Sequence, residues 1–267
     1  MAKERRAPAK GPGALMTTTL WNYHSQNYPG SKQGNTEYVG ATPSYVIWNL
    51  LQRYTKPQDL VLDPMAGSGT TLDVARDLDR RALGYDVEPT REDIFRVDAR
   101  KMPLETGKAD FVFVDPPYSN HIQYSGRKEC IGELDARKGG YFEAMALVIA
   151  EIHRVLKHDR YMALYVCDSF KKDQPFVPIG FELFAMLSRW FTPVDVVAVV
   201  RHNQTLKRDR WHNAALEGNF FLRGFNHLFI MKKDKKPKSS RVGNPKLAAK
   251  PKRASIHGRK RPARKNP

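Results

Sequence analysis

Sulfur chemistry is scarce in this chain, which carries two cysteines, Cys130 and Cys167, among 267 residues. Two are too few for a disulfide framework or a cysteine-based zinc site, and they fit a reducing, cytoplasmic setting. No run of 18 or so apolar residues occurs, so a membrane-spanning helix is not expected. The basic N-terminus has no apolar stretch behind it, which argues against a secretory signal. His202, His212 and His227 do not fall into a metal-ligand spacing, so no metal is expected.

The body of the chain also lacks net charge, although the whole chain carries +17. Residues 232–267 hold fifteen Lys and Arg against one acid, Asp234, and the first ten residues hold four against Glu4. Residues 11–231 sum to zero. Basic blocks interleaved with Pro, Gly and Ala cannot bury enough apolar surface to offset chain entropy. The reading is therefore a flexible tail over 1–16, one folded domain over 17–231 and a disordered basic tail over 232–267. The tails suit electrostatic attraction to phosphates, independent of base sequence.

Within the body, β-prone runs alternate with stretches of helical periodicity. Strands are expected at Leu60–Asp63, Ala82–Tyr85, Phe111–Val114, Tyr161–Val166, Val194–Val200 and Leu228–Met231. Helices are expected at Val46–Tyr54, Thr71–Leu78, Tyr141–Leu156 and Phe181–Trp190. This alternation implies a mostly parallel, doubly wound α/β sheet. Ligands bind such sheets outside the carboxyl ends of the strands, where strand order reverses.

The first strand end is glycine-rich: Asp63-Pro64-Met65-Ala66-Gly67-Ser68-Gly69-Thr70-Thr71. It has no lysine for a P-loop and no third glycine for a dinucleotide fingerprint. Its leading acid would repel a pyrophosphate but suits a cation such as the sulfonium and amine of S-adenosylmethionine. Asp86, roughly 20 residues on, stands where a carboxylate accepts ribose hydroxyls. Asp98 could accept from an adenine amino group.

The second strand end is Asp115-Pro116-Pro117-Tyr118. Two prolines end the strand and stiffen the turn. The Asp115 carboxylate and the Pro116 carbonyl can then converge on an amino group and draw its lone pair out of conjugation. Tyr118 offers a flat face for stacking a base.

Together these segments resemble the amino-methyltransferases of DNA, which act on adenine N6 or cytosine N4. The glycine turn is similar to their cofactor motif, with Met65 where Phe is common, and Asp115–Tyr118 is similar to their catalytic tetrapeptide. Gly40-Ala41-Thr42-Pro43 resembles the segment that contacts the methionine end of the cofactor. The likeness covers roughly residues 20–232, through Ile122–Ser125, Cys167–Phe170, Val177–Phe181 and Asn226–Phe229, and points to a compact prokaryotic branch. It implies the class I methyltransferase fold with a seven-stranded sheet, and S-adenosyl-L-methionine as cofactor. It implies contacts from Thr42, Pro43, Asp63, Met65, Ala66, Gly67, Gly69, Thr70, Thr71, Asp86, Val87, Asp98 and Ala99, and catalysis by Asp115, Pro116, Pro117 and Tyr118. It also implies double-stranded DNA as partner, a nucleoid-associated location and direct transfer to a flipped base. Where the family often has His-Glu before its last strand, Asn226-His227 is followed by Leu228, which leaves the role of His227 open.

Methylation at cytosine C5 would need a nucleophilic cysteine, usually after a proline; Cys130 follows Glu129 and Cys167 follows Val166. Asp as the first residue of the tetrapeptide leans towards adenine N6. Two further functions stay open, an RNA methyltransferase of the guanine N2 type and a non-catalytic nucleic-acid-packaging protein. The segment 201–225 reads as a DNA-facing loop or a solvated hairpin, with Arg201, Lys207, Arg208, Arg210, Trp211 and Arg223 as candidate contacts. Residues 119–140 are a second candidate, a mobile lid.

Overall fold

The computed structural model describes residues 13–30, 32–35, 38, 40–118, 126, 127, 129–168, 174–202 and 204–235. Its strands are β1 (Leu20–Trp21), β2 (Leu60–Asp63), β3 (Arg81–Asp86), β4 (Ile94–Arg96), β5 (Ala109–Val114), β6 (Leu156–Val166), β7 (Thr192–Val200) and β8 (Phe225–Lys232). The helices are α1 (Ser44–Tyr54), α2 (Thr70–Asp77), α3 (Tyr141–Val155), α4 (Ile179–Trp190) and α5 (Asp209–Glu217).

One sheet runs in the order β1-β7-β8-β6-β5-β2-β3-β4. All neighbours are parallel except β8, which lies antiparallel between β6 and β7. Seven of these strands make the sheet of the class I methyltransferase fold. The eighth, β1, is two residues long and pairs Leu20 and Trp21 with Ala198 and Val199; its brevity left no alternation to read. Strand order reverses between β2 and β5, which are adjacent and parallel. The ends that carry Asp63 and Asp115 therefore open side by side.

Alternation along β5 shows how the layers are held. Phe111 and Phe113 pack on one face with Val46, Leu50 and Leu51 of α1 and Val74 of α2. Val112 and Val114 pack on the other with Met145, Val148, Ile149 and Ile152 of α3 and Leu183 and Leu187 of α4. Both faces of the strand are covered, so it reads as a continuous apolar run.

Asn49 is the polar exception inside α1. It is fully buried, its Oδ1 accepts the Met16 N–H at 2.7 Å and its Nδ2 donates to the Tyr45 carbonyl at 2.8 Å. Met16, placed in the tail on charge, is thus tied to the domain. The other boundary also moves outward. β8 includes Lys232, and Lys233 is 4% exposed, its Nζ donating to the carbonyls of His153 (2.6 Å) and Leu156 (2.7 Å) at the end of α3. An ammonium on the orphan carbonyls of a helix end is a favourable cap. The rest of the basic tail, 236–267, lies outside the described residues, as do 1–12.

Candidate active site

The glycine turn is built around its own acid. Asp63, 3% exposed, accepts the Met65 N–H (3.0 Å) on Oδ1 and the Thr71 hydroxyl (2.6 Å) on Oδ2. Asp86, at the end of β3, accepts the Gly67 N–H (2.9 Å) on one oxygen and the Glu88 N–H (2.9 Å) on the other. Burial pushes the Asp63 carboxyl up to about 7, against the pull of Thr71 and Met65, and raises that of Asp86 as well. Gly69 caps α2 with φ +79°, and a Cβ there would stand 2.5 Å from the Arg91 guanidinium. Arg91 is itself held by Asp73 (2.7 Å) and Asp93 (2.8 Å).

A cavity opens over the ends of β2, β3 and β5. It gathers Thr42, Asp63, Met65, Ala66, Gly67, Thr70, Thr71, Asp86, Val87, Asp98, Ala99, Asp115, Pro116, Pro117 and Tyr118. Two expected members stand elsewhere. Gly69 lies beneath Arg91, and Pro43 lines a neighbouring cavity. Asp98 faces the cavity with its carboxylate clamped by Arg100 (2.9 and 2.6 Å). Burial alone would raise that carboxyl, but the guanidinium holds it below its ordinary value.

The sequence reading did not include Tyr38, Thr90, Glu129 or Ile131 in this lining, and Glu88 had no assigned role. Tyr38 covers the position a Cβ on Gly67 would take, at 2.9 Å. It stands two residues before the Gly40–Pro43 segment, the nearest signal that could have marked it. The acids are the more telling group. Among the described residues the cavity presents Asp63, Asp86, Glu88, Asp98, Asp115 and Glu129, and no Lys, Arg or His.

The tetrapeptide forms the far wall. Asp115 Oδ2 accepts the Thr42 hydroxyl at 2.5 Å and Oδ1 accepts the Tyr118 hydroxyl at 2.8 Å. Thr42, expected as a ligand contact, thus spends its hydroxyl on the acid. The Pro117 carbonyl accepts from Tyr141 at 2.8 Å, which fixes the turn to α3. Burial pushes the Asp115 carboxyl up to about 7; the two hydroxyls pull it down and the charge of Asp63 pushes it up. Burial and Asp115 together raise the Tyr118 phenol, which stays a hydroxyl.

A second cavity adjoins the first and shares Tyr38, Gly40, Ala41 and Tyr118 with it. Arg201 stands in its wall with Nη1 3.1 Å from Cys167 Sγ. The other candidate nucleic-acid contacts are not in that lining. Segment 201–225 is no hairpin but contains α5, whose nine residues include none that is buried. Lys207, Arg208 and Arg210 are exposed there, and the Arg210 guanidinium sits 4.9 Å over the Trp211 ring. Arg223 covers the Phe176 ring at 5.3 Å. Of the proposed lid, 119–125 and 128 lie outside the described residues.

His227 has a structural setting. Its Nε2 lies 3.0 Å from Asp168 Oδ2, and its ring contacts Phe181, Phe225 and Phe229. Both cysteines are free and buried, and burial raises the Cys167 thiol.

Among the described residues the lining holds acids and no cation, a charge that repels phosphates and suits a positively charged ligand. S-adenosylmethionine, with its sulfonium and amine, fits that charge. Asp86 accepts one backbone N–H on each oxygen and keeps acceptor capacity for a hydroxyl donor, whereas both Asp98 oxygens are taken up by Arg100.

Residues 2–96 match the DNA methylase family. The Type II methyltransferase M1.MboII of Moraxella bovis is 32% identical over 79 residues, 28% of this chain and 30% of that protein. The Type II methyltransferase M.HindIII of Haemophilus influenzae is 34% identical over 68 residues, 26% and 21% of the two chains. The chain thus matches less than a third of the length of these relatives. Among solved structures, TrmN from Thermus thermophilus aligns over 73% of this chain and 50% of that one, with 18% identity and a TM-score of 0.48.

Proposed function

We propose, from the premise that the chain belongs to the DNA methylase family matched over residues 2–96, that it methylates an exocyclic amine of a DNA base. One observation carries the reading: the cavity whose charged lining residues, among those described, are all acids has the Asp115–Tyr118 turn in its wall. Bound there, S-adenosylmethionine supplies an electrophilic methyl group. The chain's own task is to hold an amine against it. Asp115 accepts from the amine as charge develops on nitrogen, a task for a fixed acceptor in a partly dehydrated site. Tyr118 supports the base face, and Thr42 keeps the carboxylate turned towards the acceptor side. The amine is itself the nucleophile, so no cysteine is needed. Adenine N6 is favoured over cytosine N4, and the base leaves the duplex to reach the wall.

Mass spectrometry of nucleosides from treated duplex DNA tests the reading, with N6-methyladenine or N4-methylcytosine expected. Asp115→Ala should fold and bind cofactor but lose turnover by about two to four orders of magnitude. Cys130→Ser and Cys167→Ser should remain active. A product of 5-methylcytosine, methylation of RNA alone, or an active Asp115→Ala would overturn it.

A further inference from the structure

β1 is too short to add much to the sheet, yet it sets a register. Leu20 and Trp21 run parallel to Ala198 and Val199 of β7, so both chains leave the sheet at the same edge. Carried three residues on, the pairing of Trp21 with Val199 sets His24 beside His202. The two imidazoles meet there, with ring centroids 4.1 Å apart and planes tilted by 38°. His202 Nε2 lies 2.7 Å from Asn22 Oδ1, an acceptor, so Nε2 carries a proton and further protonation falls to Nδ1.

Both histidines line the second cavity, whose charge is the reverse of the first. Among the described residues its lining holds Arg201, His24 and His202 and no acid. Arg201, held on Cys167 Sγ, keeps a fixed positive charge in that wall. Tyr118 belongs to both linings, so a base lying on it borders both cavities. The acids of the first repel the phosphodiester of that nucleotide, and the second attracts it. Without an anion the pair charges reluctantly, because two neighbouring imidazoliums repel. Burial first, and then the charges of His24 and Lys207, hold the His202 imidazole below its ordinary value. A phosphodiester beside the rings reverses that balance.

We infer that His24 and His202 form a subsite for the phosphodiester of the target nucleotide, and that DNA binding there takes up a proton from solvent. This rests on the reading of the site as one that receives a DNA base. The groups acting on His202 are His24, from the segment after β1, and Lys207, with Arg201 next to it in the chain; all are cationic when charged. The counter-charge therefore comes from the DNA, and affinity falls as rising pH removes the proton. Asp115 lies outside this lining and acts in the opposite sense, since an amine favours its ionised form. Variants of the histidine pair keep Asp115, so the difference from wild type isolates the pair.

The experiment measures affinity for a duplex carrying the methylated site, by fluorescence anisotropy at fixed ionic strength, for the wild type, His202→Gln and the double variant with His24→Gln. A second duplex carries uncharged methylphosphonates on either side of the target nucleotide. Calorimetry with S-adenosylmethionine reports that each variant is folded. Wild-type affinity for the natural duplex should fall about 3- to 10-fold from pH 6 to pH 8, as partial uptake of one proton requires. His202→Gln should lose most of that fall and the double variant all of it. The wild type on the methylphosphonate duplex should lose it too. Wild-type binding that does not weaken with pH, or a fall kept by the double variant or by the uncharged duplex, would overturn the inference. If the wild type leaves methylated product in RNA alone, or none, the reading beneath it falls as well; product in DNA with any of those results brings down the inference alone.

Discussion

Asp115 is the residue on which the site turns, and its neighbours set its charge. Its carboxyl is pushed up to about 7 by burial, so the accepting, ionised form is lost as pH falls through that value. The expected rate profile has an acid limb near pH 7, measured as single-turnover rate against pH. Tyr118→Phe removes a hydroxyl that stabilises the carboxylate, so that limb should move to higher pH while stacking is retained. An unmoved limb would show that the Tyr118 hydroxyl does not set the acid's charge. Asp63 is raised by burial to a similar value. A cation favours its ionised form, so cofactor affinity should weaken below about pH 7, and binding near pH 6.5 should release protons. Calorimetry in buffers of different ionisation enthalpy reads that release directly. Asp86→Ala should weaken cofactor binding by about 1.5–3 kcal/mol if the carboxylate takes a charge-assisted hydrogen bond.

At the scale of elements, the glycine turn and α2 act as one unit. A side chain at Gly69 would require a left-handed conformation, costing about 1–2 kcal/mol, and would displace the Arg91 guanidinium from over the turn. Gly69→Ala should therefore lower the unfolding midpoint by several degrees in a thermal melt, whatever its effect on activity. This unit was legible in the sequence because strand, acid, glycines and helix follow one another without interruption. The long strands and four of the five helices were legible from their packing: β5, covered on both faces, reads as an apolar run, and α3, buried along one face, as a helical stripe. α5 was not, because it buries none of its residues and so leaves no apolar stripe to find. Tyr38, Glu129 and Ile131 were missed because they reach the cavity from segments outside the two motifs. Folding also gives the expected contacts protein partners that the sequence did not show: the hydroxyl of Thr42 goes to Asp115, and the oxygens of Asp63 accept from their own turn.

For the whole molecule, charge is divided by location. The body balances its charges, while residues 236–267 carry a large share of the excess. Deleting those residues should flatten the dependence of log K for DNA on log salt, by about 0.9 for each phosphate contact removed, and leave the methylated sequence unchanged. Altered site choice in the truncated protein would mean that the tail reads sequence. Inside the domain, the reversal of strand order between β2 and β5 sets Asp63 and Asp115 at adjoining strand ends, close enough for the charge of one to raise the other. That closeness makes the site a reciprocal charge device. On the proposed reading, a cation bound beside Asp63 would offset the charge that raises Asp115, so the methyl donor would favour the accepting form of that acid, and by linkage an amine on Asp115 would tighten the hold on the donor.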